Sequence, residues 1–195
     1  NILEGCRNFP IKSLLYASSS SVYGGNFKTP FSESDSTDHP ISLYAATKKS
    51  NELMAHTYSH LFNIPSIGMR FFTVYGPWGR PDMAPMLFTE AILQGKSIKV
   101  FNNGDMYRDF TYIDDVVDAI ELLISNPATP DRQFNKSNPN PSSSWAPHRI
   151  FNIGNSQSVP LCDFINKLED IIGIEAVKEY VEMQAGDVPI TSADT

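Results

Sequence analysis

The sequence predicts an α/β fold built on a doubly wound parallel sheet. Ile11 to Ala17 and Ile67 to Phe72 are short, nearly continuous apolar runs, the pattern of strands covered on both faces. A helical stretch of about 20 residues separates them, and strand-type and helix-type stretches keep alternating as far as Gly173. The first run feeds a row of hydroxyls, Ser18-Ser19-Ser20-Ser21, to its C-terminal end, the edge at which ligands sit in an open α/β sheet.

The elements follow in order. Residues 1–8 have the pattern of a helix end with Ile2, Leu3 and Cys6 as its apolar face. After the strand at 11–17, residues 24–42 are rich in Gly, Pro, Ser and Asp and form a long loop over the site. Ser42 is a favoured residue type for capping the next helix, which runs from about 43 to 62. Its helical spacing puts Ala46, Ser50, Leu53, Met54, Thr57, Tyr58 and Leu61 on one face, expected to pack on the sheet. The strand at 67–72 ends in Thr73-Val74-Tyr75-Gly76-Pro77. A helix over 86–94 stops at Gly95, 99–101 is a short strand, and Asn102-Asn103-Gly104-Asp105 is a turn. Residues 108–113 are extended. They lead into a helix with Asp114 and Asp115 in its first turn, where acids suit the helix dipole, and with Val116, Val117, Ala119, Ile120, Leu123 and Ile124 as apolar positions. Residues 126–147 lack periodicity and predict a surface loop. A strand at 150–154 and a helix at 161–172, closed by Gly173, complete the order.

Composition narrows the function classes. Hydrophobic residues make up 41% of the 195, enough for a packed core, and the net charge of −7 with no Lys/Arg-rich run argues against a nucleic-acid surface. Cys6 and Cys162 lie far apart, which fits reduced thiols and a cytoplasmic setting. His39, His56, His60 and His148 form no zinc signature, and no metal site is expected. No apolar run is long enough to span a membrane and no signal peptide is visible.

The chemistry concentrates at Tyr44 and Lys48. Residues i and i+4 of a helix share a face, and an ammonium beside a phenol favours the phenolate. Tyr44 is thus suited to act as a general base toward an alcohol, with a serine hydroxyl to hold the same oxygen. The spacing alone is weak, since 8 tyrosines and 9 lysines in this length give about 0.4 such pairs by chance. The serine cluster at the end of an apolar strand some 25 residues earlier gives it weight.

Five ordered blocks then resemble one family. They are Ser18-Ser-Ser-Ser-Val-Tyr-Gly24, Tyr44-x-x-x-Lys48, Arg70-Phe-Phe-Thr-Val-Tyr-Gly-Pro77, Gly79-Arg-Pro-Asp-Met-Ala84 and Arg108-Asp-Phe-Thr-Tyr-Ile-Asp-Asp115. Together they are similar to the extended short-chain dehydrogenase/reductases, specifically the NAD-dependent nucleotide-sugar epimerases of the UDP-glucuronate 4-epimerase branch. The resemblance runs through the whole chain. It implies the C-terminal part of a Rossmann-type sheet over residues 1–76 and a smaller mixed α/β nucleotide-sugar domain over 77–195, with 108–125 returning toward the Rossmann sheet. It also implies 4-epimerisation of a UDP-sugar, most simply UDP-glucuronate to UDP-galacturonate, through a 4-keto sugar with NAD retained.

Site residues carry over position by position. Ser19, Tyr44 and Lys48 are implied as catalytic, Tyr44 and Lys48 also as contacts to NAD, and Ser20, Ser21, Thr73, Arg80, Arg108 and Asp187 as contacts to the UDP-sugar. Related dehydratases resemble Asp-Glu at the positions of Ser20 and Ser21. A hydroxyl cannot remove a carbon-bound proton as a carboxylate can, and it does not repel an acidic sugar. Arg80 offers a fork that matches a carboxylate, Arg108 is implied at the diphosphate and Asp187 at a ribose. Where the galactose branch has an Arg three residues before that Asp, this chain has Gln184. The family also implies a homodimer formed through the helix bearing Tyr44 and Lys48. Two alternatives stand beside this reading: an epimerase or reductase acting on a neutral nucleotide sugar, and a non-catalytic nucleotide-sugar-binding protein.

No Gly-x-x-Gly-x-x-Gly or Gly-x-Gly-x-x-Gly occurs in the chain. A dinucleotide domain opens with that turn, so the expectation is a fragment lacking roughly the first hundred residues, inactive alone.

Overall fold

A computed structural model describes residues 1–195. Helix α1 (Ile2–Asn8) precedes strand β1 (Leu14–Ser19), which runs directly into a 3-10 turn, Ser20–Tyr23. Helix α2 (Leu43–Phe62) returns the chain to β2 (Ser66–Phe71), followed at once by β3 (Thr73–Tyr75). Then come α3 (Ala84–Leu93), β4 (Ser97–Val100), β5 (Tyr107–Tyr112), α4 (Ile113–Ser125), β6 (His148–Ile153), β7 (Ser158–Pro160), α5 (Leu161–Ile172) and β8 (Val177–Tyr180). The fold is α/β, with β1-β2-β6 all parallel, a mixed β3-β5-β7 sheet and a parallel β4-β8 pair.

The ends of α2 follow local chemistry. Ser42 Oγ accepts from the N–H of Ala45 at 3.1 Å, and Asn63 closes the helix in the left-handed region that Asn tolerates. Its buried face differs from the expected one. Ala45, Glu52, Ala55 and Ser59 are buried against the sheet, while Leu53, Met54 and Leu61 are 58%, 48% and 62% exposed.

The reason lies in the strands. Alternate residues of a strand point to opposite faces. Leu15, Ile67, Met69, Phe71, Phe151 and Ile153 join Val116, Ile120 and Leu123 of α4 in one apolar layer. The opposite face carries Ser66, Tyr16, Ser18, Arg70, His148 and Asn152, and α2 meets it with polar groups. Ser59 Oγ bonds Ser66 Oγ at 2.6 Å, and Ser18 Oγ donates to Glu52 at 2.7 Å. Gly68 is required here, because a Cβ would lie 2.5 Å from the Tyr16 hydroxyl.

Other expectations shift in detail. In α4, Val117 and Ile124 are exposed rather than apolar contacts. Residues 126–147 are no plain surface loop. Ala128, Ser142, Ser144 and Ala146 are buried, and His56 Nε2 meets Ser144 Oγ at 2.8 Å. The strand at 148–153 pairs with β2, which brings the chain back to the first sheet after α4. Strand β1 starts three residues later than the expected 11–17 and runs on to Ser19, and instead of being buried it sits at the sheet edge and is mostly half-buried. Strands β7 and β8 were not expected. A separate core of Ile92, Ile98, Val100, Met106, Leu161 and Ile165 joins α3, α5 and β4.

Candidate active site

The C-terminal ends of β1 and β2 and the start of α2 surround one cleft of about 700 Å³. Ser19 terminates β1, and its Oγ accepts from both the N–H (3.2 Å) and the Oγ–H (2.9 Å) of Ser21. With its acceptor side engaged, the Ser19 hydroxyl has its own proton free to donate into the cleft. Tyr44 stands in the first turn of α2, half exposed, and lines the same cleft. Lys48 follows one turn later. Its Nζ lies 5.7 Å from the Tyr44 ring centroid and donates to the Ala17 carbonyl at 3.0 Å. One of three ammonium protons is thereby used, and two can reach a ligand.

Thr73, Arg80 and Ser20 line the same cleft. The Arg80 fork is already closed on a carboxylate: Nε donates to Asp82 Oδ1 at 3.1 Å and Nη2 to Oδ2 at 2.5 Å, both side chains being exposed.

A second recess of about 180 Å³ opens beside the first, with Ser20 and Thr73 facing both. Ser21, Arg108 and Asp187 line it. Arg108 and Asp187, 79 residues apart, pair with each other: Nη2 donates to both carboxylate oxygens at 2.9 and 3.0 Å, and Nη1 to the carbonyls of Tyr107 and Pro189. Burial pulls the Arg108 pKa down and Asp187 opposes it; a guanidinium stays protonated regardless.

All nine residues singled out from sequence thus fall into two adjoining cavities, Ser19, Tyr44, Lys48 and Arg80 in the larger, Ser21, Arg108 and Asp187 in the smaller, and Ser20 and Thr73 in both. Three neighbours were missed. Trp78 lines the larger cleft fully exposed, with a φ of 63°; its only sequence signal was an aromatic in a Gly-Pro loop. Glu52 and Arg70 form a buried ion pair just behind Ser19. A lone charge inside an apolar strand was the signal for Arg70.

A parallel sheet that brings hydroxyls, a phenol and an ammonium together at its C-terminal edge defines a ligand-binding α/β protein. The chain belongs to the NAD dependent epimerase/dehydratase family, which matches over residues 1–154. It is 58% identical to protein CapI of Staphylococcus aureus over 194 residues, covering all of this chain and 58% of that protein. It is 47% identical to a probable UDP-glucuronate 4-epimerase of Rhizobium meliloti, over 99% of this chain and 57% of that one. The solved structure of MoeE5 in complex with UDP-glucuronic acid and NAD superposes with a TM-score of 0.83 at 32% identity, covering 99% of this chain and 59% of that one. The chain thus spans somewhat over half the length of these relatives.

Proposed function

We propose that an enzyme built on this chain carries out NAD-dependent 4-epimerisation of a UDP-sugar, with UDP-glucuronate and UDP-galacturonate as its pair of substrates. The observation that carries the reading is the meeting of Ser19, Tyr44, Lys48 and Arg80 in one cleft.

The residues present fit the nicotinamide end of the cofactor. The fixed Lys48 ammonium has two protons free beside the Tyr44 ring, a donor pair suited to ribose hydroxyls. The chain holds no glycine-rich turn for the pyrophosphate, so the fit concerns that end alone. When bound, the dinucleotide supplies a reversible hydride acceptor.

The chain's own residues do the rest. Tyr44 accepts the proton of the sugar 4-hydroxyl and later returns it to the same oxygen, after the 4-keto sugar has turned its other face to the site. Lys48 stabilises the phenolate by its charge. Ser19 donates to the sugar oxygen, whose negative charge grows as the proton leaves. Ser20, Thr73 and Arg80 hold the carboxylate at carbon 5, and Arg108 exchanges part of its Asp187 pairing for the diphosphate. Ser20 and Ser21 provide no carboxylate for water loss, which separates this chemistry from dehydration.

The exposed Leu53, Met54 and Leu61 of α2 support dimerisation through that helix, since they leave large apolar side chains on its outer side. No helix is long and apolar enough to cross a membrane.

The test is incubation of the cofactor-loaded enzyme with UDP-glucuronate, followed by proton NMR at carbon 4. The reading predicts inversion to UDP-galacturonate with no accumulation of NADH. Net NADH formation, loss of CO₂, or turnover confined to UDP-glucose contradicts it.

A further inference from the structure

We infer that the buried Glu52–Arg70 pair is a positioning device that sets α2, and with it Tyr44 and Lys48, against the end of β1. The inference rests on the functional reading above and adds two residues that do not line the cleft.

Ser18, Arg70 and Asn152 stand side by side in register across β1, β2 and β6. Arg70 is wholly buried and Glu52 nearly so. The guanidinium donates from Nε to Glu52 Oε1 at 2.9 Å, from Nη2 to Oε2 at 3.0 Å, and from Nη1 to the Tyr23 hydroxyl at 3.0 Å. Tyr23 in turn donates to Asn152 at 2.7 Å, and Ser18 donates to Glu52 Oε1 at 2.7 Å. Lys49 reaches the outer oxygen of Glu52 at 3.4 Å. One network therefore ties α2, β1, β2, β6 and the 3-10 turn that carries Ser20 and Ser21.

Its place on α2 is what matters. Glu52 follows Lys48 by one turn and Tyr44 by two, on the same face. Lys48 is bonded to Ala17 and Glu52 to Ser18. The two residues before Ser19 are thus each held by the helix that bears the phenol.

Stability does not require this. Replacing a buried ion pair by apolar residues of similar volume is often neutral or stabilising. Shape alone, however, fixes this helix weakly. Besides Glu52, the residues α2 buries are Ala45, Ala55 and Ser59, all small, with His56 packed on His148 and Ser144 one turn beyond Glu52. Four directional bonds, two from Arg70 and one from Ser18 to Glu52 and one from Lys48 to Ala17, specify the axial position and rotation that small side chains leave open.

The test is the double variant Glu52→Leu/Arg70→Met in the cofactor-loaded enzyme, read as thermal midpoint, KM and kcat. The expected result is a midpoint equal to or above that of the unaltered enzyme, a KM changed less than about threefold, and a kcat lowered about 10–100-fold, the scale of a misplacement near 1 Å. A well-folded double variant with unaltered kcat overturns the inference, as does a rise in KM that accounts for the whole loss. Should the double variant fail to fold, Ser18→Ala decides. It cuts the tie of Glu52 to β1 and should lower kcat several-fold at unchanged KM with a modest fall in midpoint, and unchanged kcat in that variant overturns the inference. Turnover by the unaltered enzyme is the reference: its absence defeats the functional reading and this inference together, whereas its presence with an unaffected variant defeats this inference alone.

Discussion

Acid should loosen this protein through two histidines held neutral by burial, His148 above all and His56 to a lesser degree. His148 opens β6 with its ring buried between α2 and the sheet, 3.0 Å from the Tyr16 hydroxyl and stacked edge-on to His56 at 5.3 Å. Burial pushes its pKa down from 6.5 to about 4, the positive charges of His56, Lys49 and Arg70 act in the same direction, and Glu52 opposes them. The folded protein therefore keeps His148 neutral where the unfolded chain has already taken up a proton. Protons favour unfolding wherever the unfolded state binds more of them. The stability lost through His148 is zero above about pH 7.5, grows as the pH falls through 6.5, and levels off below about 4. At pH 5 the loss is about 2 kcal/mol, and the full difference is about 3 kcal/mol. With a urea dependence of about 2 kcal/mol per molar, the midpoint should drop by about 1 M between pH 8 and pH 5. Urea titrations followed by circular dichroism at pH 8, 6.5 and 5 measure this, and His148→Gln should remove most of the trend over that window, leaving the smaller part carried by His56. Carboxylates held low, such as Glu52 beside Arg70, act only below about 4.5 and do not confuse it. A midpoint that does not change from pH 8 to 5, or an equal slope in His148→Gln, would refute the reasoning.

Arg80→Leu should weaken UDP-glucuronate binding about 5–30-fold and leave UDP-glucose nearly unchanged, because the sugar carboxylate replaces Asp82 in a fork that is exposed and screened. Calorimetry with both nucleotide sugars reads the ratio, and equal loss on both would assign Arg80 to the loop or the diphosphate. Asp82→Asn should move the same ratio the other way by a few fold, since it frees the fork and removes a like charge; tighter binding of UDP-glucose to the same degree would count against that exchange. Leu53→Glu with Met54→Lys should convert a dimer to a monomer in sedimentation that is still folded by circular dichroism, because both side chains face solvent in the isolated chain. Persistence of the dimer would move the interface elsewhere.

Local chemistry was legible in the sequence and long-range pairing was not. The bounds of α2 and its Ser42 cap follow from a few neighbouring residues, and both agree with the structure. The side α2 buries depends on which sheet face it meets, and that face is polar because Ser18, Arg70 and Asn152 come into register from three distant strands. Leu53, Met54 and Leu61 therefore looked like core and are surface. Strands β7 and β8 are three and four residues long and owe their existence to β5 and β4, not to any pattern of their own. At the site, the serine row and the Tyr44/Lys48 spacing could be read directly. The mutual pairing of Arg108 with Asp187 could not, since nothing local shows that the loop at 186–189 folds back onto β5.

The central claim is that Tyr44 moves the proton of the sugar 4-hydroxyl. Tyr44→Phe removes one oxygen from a half-exposed ring at the start of α2 and leaves its packing in place. In the cofactor-loaded enzyme, kcat for UDP-glucuronate should fall about 10²–10⁴-fold, while calorimetry shows UDP-glucuronate binding within about threefold of the unaltered enzyme. Near-normal turnover in that variant would remove Tyr44 from the chemistry and contradict the account.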